Sequence, residues 1–385
     1  MGDPPQLHRG LAGDGTISGI RGWCPGALRP MESGDGWITR IRPHGGRLSP
    51  VQATGIASAV REHGNGLIDL TGRANLQIRG VTPASHAPLI EALRALDLID
   101  ADIGAEQRHN VIVTPFADPE TDGLAAELEA ALTASALPLP SKFGFAVDTG
   151  PAPVLQDIPA DIRLERGADG SLILRADGFP YGALYRSAAE ALALAEWFLA
   201  QGGAPEGRGR MAGLIARGTP PADAMLAPAP VLQTPAPGPV PQGMLVGLEF
   251  GQIEAGTFAT LAAFGPLRVT PWRMLLIEGS AKIPALPGLI AEPGDPRLRL
   301  RACTGAPGCR HAHAATRALA RRLASHVPKG RVLHVSGCAK GCGWPRAADL
   351  TLTATPEGFD LIRGGCASDI PQLRGLPPAR LPEVL

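Results

Sequence analysis

The sequence predicts an α+β protein built from two similar halves, and three observations carry that expectation. A proline-rich segment divides the 385 residues, a strand-helix-strand pattern occurs on both sides of it, and each copy is followed by a longer region mixing strands with helices. A chain of this length can bury two or three separate cores.

The divider runs from Thr219 to Gly243 and contains eight prolines. Proline fixes φ and donates no amide hydrogen, so this stretch suits an extended connection and no continuous helix or central strand. Before it, GWITRIR at 36–42 alternates as a strand, Gly45 and Gly46 make a turn, and Pro50–His63 reads as a helix. Strands follow at Gly66–Leu70 and Asn75–Val81. After the divider, GMLVGLEF at 243–250 reads as a strand, Gly251 as a turn and Ala255–Phe264 as a helix, with strands at Leu267–Thr270 and Met274–Glu278. RANLQIRG at 73–80 and PWRMLLIEG at 271–279 close the two copies similarly, so each reads as a small βαβ-type unit. The first larger region has strands at Asn110–Thr114 and Phe143–Val147 and helices at Gly123–Ala134 and Ala188–Ala200. The second has a helix at His311–Ser325 and a strand at Arg331–Val335.

Composition narrows the function. Formal net charge is zero and the apolar content is 44%, which points away from nucleic acid and membrane surfaces. No run approaches the roughly 20 apolar residues that span a bilayer, and MGDPPQLHRG lacks the form of a signal peptide, so a cytoplasmic protein is expected.

Four of the six cysteines form the most specific motif. Five residues separate Cys303 from Cys309 and three separate Cys338 from Cys342, with 28 residues between the pairs. Both pairs fall on Gly-rich loops, which can wrap an iron–sulfur cluster and donate amide hydrogens to its sulfides. Structural zinc is the competing reading, although its pairs are usually closer than Cys303 and Cys309. Between Asp295 and Asp349 there is no acidic residue but there are eleven basic ones, a setting that suits a negatively charged centre. Arg301, Arg310, Lys340 and Arg346 are the candidates to lie near it, whereas Arg317, Arg321 and Arg322 read as a solvated helix face. Cys24 and Cys366 read as incidental thiols, and His311 and His313 as helix-start or solvent-facing residues.

The cysteine spacing, the repeated halves and TGRANLQIRG at 71–80 resemble the sirohaem-dependent nitrite and sulfite reductase superfamily over nearly the whole chain. Within it, CPGALRPMESGDGWITRIRPHGGRLS at 24–49 and DLTGRANLQIRG at 69–80 resemble the precorrin-3B synthase family of aerobic cobalamin biosynthesis. The resemblance implies two ferredoxin-like half-domains, at 15–85 and 243–283, and two larger α/β halves related by a pseudo-two-fold, at 86–217 and 295–385. The linker occupies 218–242. It also implies a [4Fe–4S] cluster on Cys303, Cys309, Cys338 and Cys342. The position of Cys342 matches the cysteine that also bridges to sirohaem in the reductases.

Residue by residue, the resemblance makes Arg73, Gln77 and Lys142 ligand-contacting positions. Two departures from the reductases stand out: Gly144 replaces a second lysine, and His109 sits where an arginine precedes the Asn-Val strand. Both remove positive groups that would converge on a small oxyanion. The expected reaction is therefore oxygen-dependent hydroxylation of precorrin-3A at C20 with γ-lactone formation. In this reading His109, Lys142 and Arg73 serve the chemistry. Arg40, Arg42, Arg47, Arg73, Asn75, Gln77, Arg79, Arg108 and Lys142 bind the substrate carboxylates, for which arginine forks are suited. Precorrin-3A takes the tetrapyrrole position, dioxygen is co-substrate and an external donor supplies electrons. A non-haem iron is a further expected cofactor, with sirohaem ranked behind it. The rival readings are a sirohaem nitrite or sulfite reductase and a zinc-stabilised tetrapyrrole carrier.

Overall fold

The computed structural model describes residues 25–151 and 153–385, so Cys24 lies outside the described residues. The first small unit comprises β1 (Met31–Ser33), β2 (Gly36–Ile41), β3 (Arg47–Leu48), α1 (Pro50–His63), β4 (Leu67–Leu70), β5 (Leu76–Val81) and α2 (Pro83–Arg94). The first larger unit adds α3 (Ile103–Arg108), β6 (Val111–Val113), α4 (Pro119–Ala134), β7 (Phe145–Asp148), β8 (Ile162–Arg166), β9 (Leu172–Ala176), β10 (Ala183–Leu184), α5 (Ala188–Ala200) and α6 (Met211–Ile215). The second small unit holds β11 (Gly238–Val240), β12 (Gly243–Leu248), β13 (Gln252–Glu254), α7 (Ala255–Ala262), β14 (Leu267–Val269), β15 (Met274–Glu278) and β16 (Leu289–Ile290). The second larger unit consists of β17 (Leu300–Ala302), α8 (Thr316–Leu323), β18 (Leu333–Ser336), β19 (Ala348–Thr355), β20 (Gly358–Gly365), β21 (Leu373–Leu376) and α9 (Leu381–Val384).

The halves repeat each other in topology. Both larger sheets join three parallel strands to two antiparallel ones, in the orders β6-β7-β8-β9-β10 and β17-β18-β19-β20-β21. The small sheets are antiparallel throughout and exchange strands: β13 of the second half pairs with β4, and β3 of the first half pairs with β14. Helices α1 and α7 lie over one shared core containing Ile56, Val60, Ile78, Phe258, Leu261 and Ile277. Even the turn before the last small strand recurs. Thr71 Oγ1 accepts from the amides of Arg73 and Asn75, and Thr270 Oγ1 accepts from those of Trp272 and Met274, at 3.2–3.3 Å.

Local chemistry explains the strongest elements. Ser49 and Gln52 cap α1 reciprocally, with Pro50 at its first turn, and Thr82 and Ser85 do the same for α2 behind Pro83. Three expectations change. The small units are antiparallel and not βαβ-type, because each strand returns beside its neighbour within one sheet. The helix expected at 311–325 starts only at Thr316, because the preceding residues are held in the cysteine loop: the His313 amide donates to Gly337 O at 2.8 Å and that of Ala306 to Ala314 O at 3.0 Å. Strands β8 and β9 are additions; their buried Arg163, Glu165 and Arg175 pair with Asp177 or with each other, so the segments look polar in sequence.

Candidate active site

The repeat permits a direct comparison of two equivalent sheet faces. Cross-strand register aligns Arg40, Gln77, Asp69 and Gln252 across the first small sheet. In the second, the same positions carry Leu245, Leu276, Arg268 and Arg47. By the shared threonine turn, Arg73 and Asn75 correspond to Trp272 and Met274. The second face is closed: Leu245, Met274 and Leu276 are buried together, packed by Phe116 and Trp272. Asp122 of α4 grips Arg268 with two bonds of 2.9 and 2.7 Å. The first face keeps Arg40, Arg73 and Gln77 half-buried and polar. A backbone duplicated this closely makes the side-chain difference informative: one face fills itself, and the other presents hydrogen-bonding groups.

The polar face looks toward the cysteine-bearing unit. Arg317 of α8 approaches Asp69 to 3.7 Å. At the tip of the β1–β2 hairpin, a Cβ on Gly34 would stand 2.8 Å from the Arg310 amide nitrogen and 3.1 Å from Cys309 Cα, so hairpin and cysteine loop are in direct backbone contact.

Parallel pairing of β17 with β18 brings both cysteine loops to the same end of the sheet. Cys303 directly follows β17, and its Sγ accepts from the Gly337 amide at 3.2 Å, one residue before Cys338. On the other side, a Cβ on Gly343 would lie 2.7 Å from the Cys303 amide nitrogen, one residue after Cys342. Glycine is required at 343, where a Cβ would run into backbone atoms. Burial pushes the Cys342 thiol up, and the thiols of Cys338, Cys303 and Cys309 push it further, which places all four in one another's field. Among the described residues, no three of these sulfurs lie within 4.8 Å of one another. Cys366 is apart from this set, with its amide on Asp369.

Cations surround the cysteines. Arg273, at φ +61°, donates to Gly343 O at 3.1 Å. Trp344 takes two guanidinium groups on its ring, Arg301 at 4.8 Å and Arg346 at 3.9 Å. Burial, then Arg273 and Arg346, pushes Arg301 down to about 10. Burial and then Arg317 lower Arg273. His334, fully buried with both ring nitrogens lacking a partner among the described residues, is driven down to about 4 by burial and then by Arg273. Buried cations that depress one another create a place for negative charge.

Three of these residues escaped the sequence reading. Arg317 is not on a solvated face; α8 packs on β17 and β18, and from it the mostly buried Arg317 reaches Asp69 of the first sheet at 3.7 Å. Arg273 was legible only through the repeated threonine turn, and Trp344 only as the neighbour of Cys342. Of the arginines expected beside the cysteines, Arg301 and Arg346 meet at Trp344, while Arg310 and Lys340 are exposed on the two loops. Arg321 pairs with Glu249 at 2.6 Å, and Arg322 is exposed.

Other expected substrate residues are placed differently. Arg79 does lie on the polar face, but its guanidinium is occupied by Asp35 at 2.8 Å and Asp69 at 3.1 Å. Arg47 belongs to the second small sheet and pairs with Glu278 at 2.7 Å, because β3 crosses over. Arg42 donates to Glu106 O at 3.0 Å and Arg108 to Leu132 O at 3.1 Å. Asn75 is buried beneath the face and Lys142 is exposed. His109 is buried between Asp100 at 3.1 Å and Glu129 at 3.5 Å; burial alone would lower it, but these two partners outweigh burial and raise it to about 9.

Duplicated half-domains that face a four-cysteine loop set define the nitrite/sulfite reductase architecture. A profile of the nitrite/sulfite reductase ferredoxin-like half domain matches residues 29–96, and the structure of Mycobacterium tuberculosis NirA protein superposes with a TM-score of 0.57, covering 90% of this chain and 79% of that one at 16% identity. More particularly, a precorrin-3B synthase from Sinorhizobium sp. is 29% identical over 404 residues, 94% of this chain and 87% of the relative. The superfamily and synthase resemblance seen at residues 24–80 is thereby borne out.

Proposed function

We propose that this protein is a precorrin-3B synthase, hydroxylating precorrin-3A at C20 with formation of a γ-lactone. The carrying observation is the contrast in residue type between the two sheet faces: Arg40, Arg73 and Gln77 make a half-buried polar face where Leu245, Trp272 and Leu276 form an apolar cluster. A flat macrocycle ringed by carboxylates suits a surface with arginines on one side and Arg273, Arg301 and Arg317 on the other. Arg40, Arg73 and Gln77 bind and orient it. Arg79 holds the face in shape through Asp35 and Asp69, and so acts as a positioning residue.

Cys303, Cys309, Cys338 and Cys342 hold a [4Fe–4S] cluster, which when bound supplies single electrons. In the reaction one atom of dioxygen enters at C20 and the other leaves as water, with two electrons and two protons delivered by an external donor. The ring A acetate closes the lactone by adding its carboxylate oxygen to the ring carbon next to C20 as the oxygen adds at C20; the double bond between those carbons is consumed, the carboxyl proton ends on the C20 hydroxyl, and no further oxidant is needed. Arg273 and Arg301 hold negative charge beside the cysteine loops throughout.

The test is turnover of precorrin-3A under labelled dioxygen with a chemical reductant. One labelled atom in the product is expected; unlabelled product overturns the reading. Gln77→Leu, which copies the counterpart Leu276, should raise KM about tenfold, the effect of losing roughly 1.4 kcal/mol of binding.

A further inference from the structure

Each small sheet meets a helix of a larger unit through one ion pair, and the two copies of that pair differ. Asp69 and Arg268 hold the same cross-strand position in the two sheets, opposite Gln77 and Leu276. In the second half the pair is closed, with Arg268 donating to Asp122 of α4 at 2.9 and 2.7 Å. In the first half it stands open. Arg317 of α8 stops 3.7 Å from Asp69 Oδ1, beyond hydrogen-bond reach, and its buried Nε has no partner among the described residues. Burial lowers the Arg317 guanidinium, and Asp69 offsets this only in part. A mostly buried cation with unspent donors is costly unless something else comes to use them.

The gap is built from both sides. Asp69 is held back by its own sheet: Gln252 donates to Oδ1 at 2.8 Å and Arg79 to Oδ2 at 3.1 Å, and Arg79 is fixed in turn by two bonds of 2.8 Å to Asp35. Arg317 starts from an anchored turn. The Thr316 hydroxyl donates to Cys303 O at 2.7 Å, and a Cβ on Gly305 would lie 2.6 Å from that hydroxyl oxygen, so the first turn of α8 rests against the cysteine loop. Closing the pair would therefore break bonds that position Asp69 or the turn bearing Arg317.

We infer that Arg317 is reserved for a carboxylate of the bound ligand, and that Asp69 neutralises it only until that carboxylate arrives. A carboxylate entering between the first small sheet and α8 takes the guanidinium at about 2.7–2.9 Å, closer than Asp69 comes, and the planar fork suits that exchange better than a lysine. Orientation follows from the same contact. The ligand edge that bears this carboxylate lies against the Cys303 loop. That the ligand is a polycarboxylate macrocycle rests on the proposed function; the open pair does not. Asp69 is then a competitor of the ligand, so removing its charge strengthens binding, whereas a pair that only ties two units together gives the opposite sign.

The test is anaerobic absorbance titration of the holoenzyme with precorrin-3A and with uroporphyrin, an unreactive polycarboxylate macrocycle. Arg317→Met should raise both dissociation constants about tenfold, the effect of losing one charge-assisted pair. Asp69→Asn should lower them about threefold, and Asp69→Glu, whose longer side chain reaches Arg317, should raise them about threefold. Neither Asp69 substitution should change binding in the Arg317→Met background. Asp69→Asn protein that binds no more tightly than the wild type, or Arg317→Met protein that binds equally well, overturns the inference. Should Asp69→Asn not fold, Asp69→Glu decides: weaker binding that disappears in the Arg317→Met background supports the exchange, and equal weakening in both backgrounds refutes it. Binding that follows these signs without label incorporation at C20 would sink the functional reading and spare this one; labelled product with binding indifferent to Asp69 and Arg317 would do the reverse.

Discussion

Replacing Gly34 by alanine should loosen the cysteine site from a distance of two domains in sequence. The added Cβ would lie 2.8 Å from the Arg310 amide nitrogen, 2.9 Å from Gly308 O and 3.1 Å from Cys309 Cα. All three are backbone atoms, which cannot rotate away as a side-chain end can. Ordinary contact begins near 3.4 Å, so the hairpin or the Cys309 loop must retreat by about half an ångström. Overpacking of this kind costs about 1–3 kcal/mol. In the proposed cluster, where ligation tolerates deviations of about 0.2 Å, the strain would fall on the Cys309 bond as well as on the interface. Loss of bound iron to a chelator, followed anaerobically by the decay of visible absorbance, should be at least about fivefold faster than in the wild type, the equivalent of about 1 kcal/mol. Gly123→Ala is the control: nothing lies within 4 Å of its Cβ position on α4, and alanine there should add about 0.5–1 kcal/mol. A Gly34→Ala protein that melts normally and keeps its iron as long as the wild type would refute the contact between hairpin and cysteine loop.

Other outcomes follow from buried groups. Arg79→Met leaves Asp35 and Asp69 without their shared cation and should lower stability by about 3–5 kcal/mol in urea denaturation; a loss under about 1 kcal/mol would return Arg79 to the substrate-binding set. Tyr185 is buried with its hydroxyl lacking a partner among the described residues, so Tyr185→Phe should be neutral or stabilise by about 1 kcal/mol, read as a higher Tm. His334 falls from 6.5 to about 4 on folding, so the unfolded chain binds the proton more readily between those values. Its contribution is complete above pH 6.5 and is lost as pH falls toward 4, by up to about 3 kcal/mol in metal-free protein. His334→Phe should flatten that part of the stability profile, and an unchanged slope would count against the assignment.

Legibility in the sequence followed the range of the interactions. Helix α1 and strand β15 were readable to the residue because caps, proline and alternation are local. The crossover strands β3 and β13 were not, since two or three residues gain strand geometry only by pairing with the other half. The four cysteines declared themselves through spacing, but Arg317 did not: its partner Asp69 is 248 positions away, and an arginine on an otherwise polar helix face looks solvated. Arg47 and Arg79 show the converse error. Alternation correctly set the side on which Arg79 points, yet it could not reveal that Asp35 and Asp69 already occupy its guanidinium.

Duplication also explains how one half could acquire a site without loss of the fold. Burying side chains such as Leu245, Met274 and Leu276 contributes roughly 1.5–3 kcal/mol each, and that closed face secures the second small unit against the first larger one. With that contact secured, the equivalent positions of the first half could become Arg40, Asn75 and Gln77, giving up apolar burial for hydrogen-bonding capacity. Charges are inverted between the faces as well: Asp69 meets Arg317 of α8 where Arg268 meets Asp122 of α4. The inversion gives the two halves different partners, so each small unit has one correct larger unit to pack on. It also leaves the first face short of apolar contact until a ligand covers it. The interface between that face and the cysteine-bearing unit is therefore the weaker of the two, and substrate binding should protect its backbone amides, those of β5 and the Gly34 hairpin, from hydrogen exchange more than those of β15.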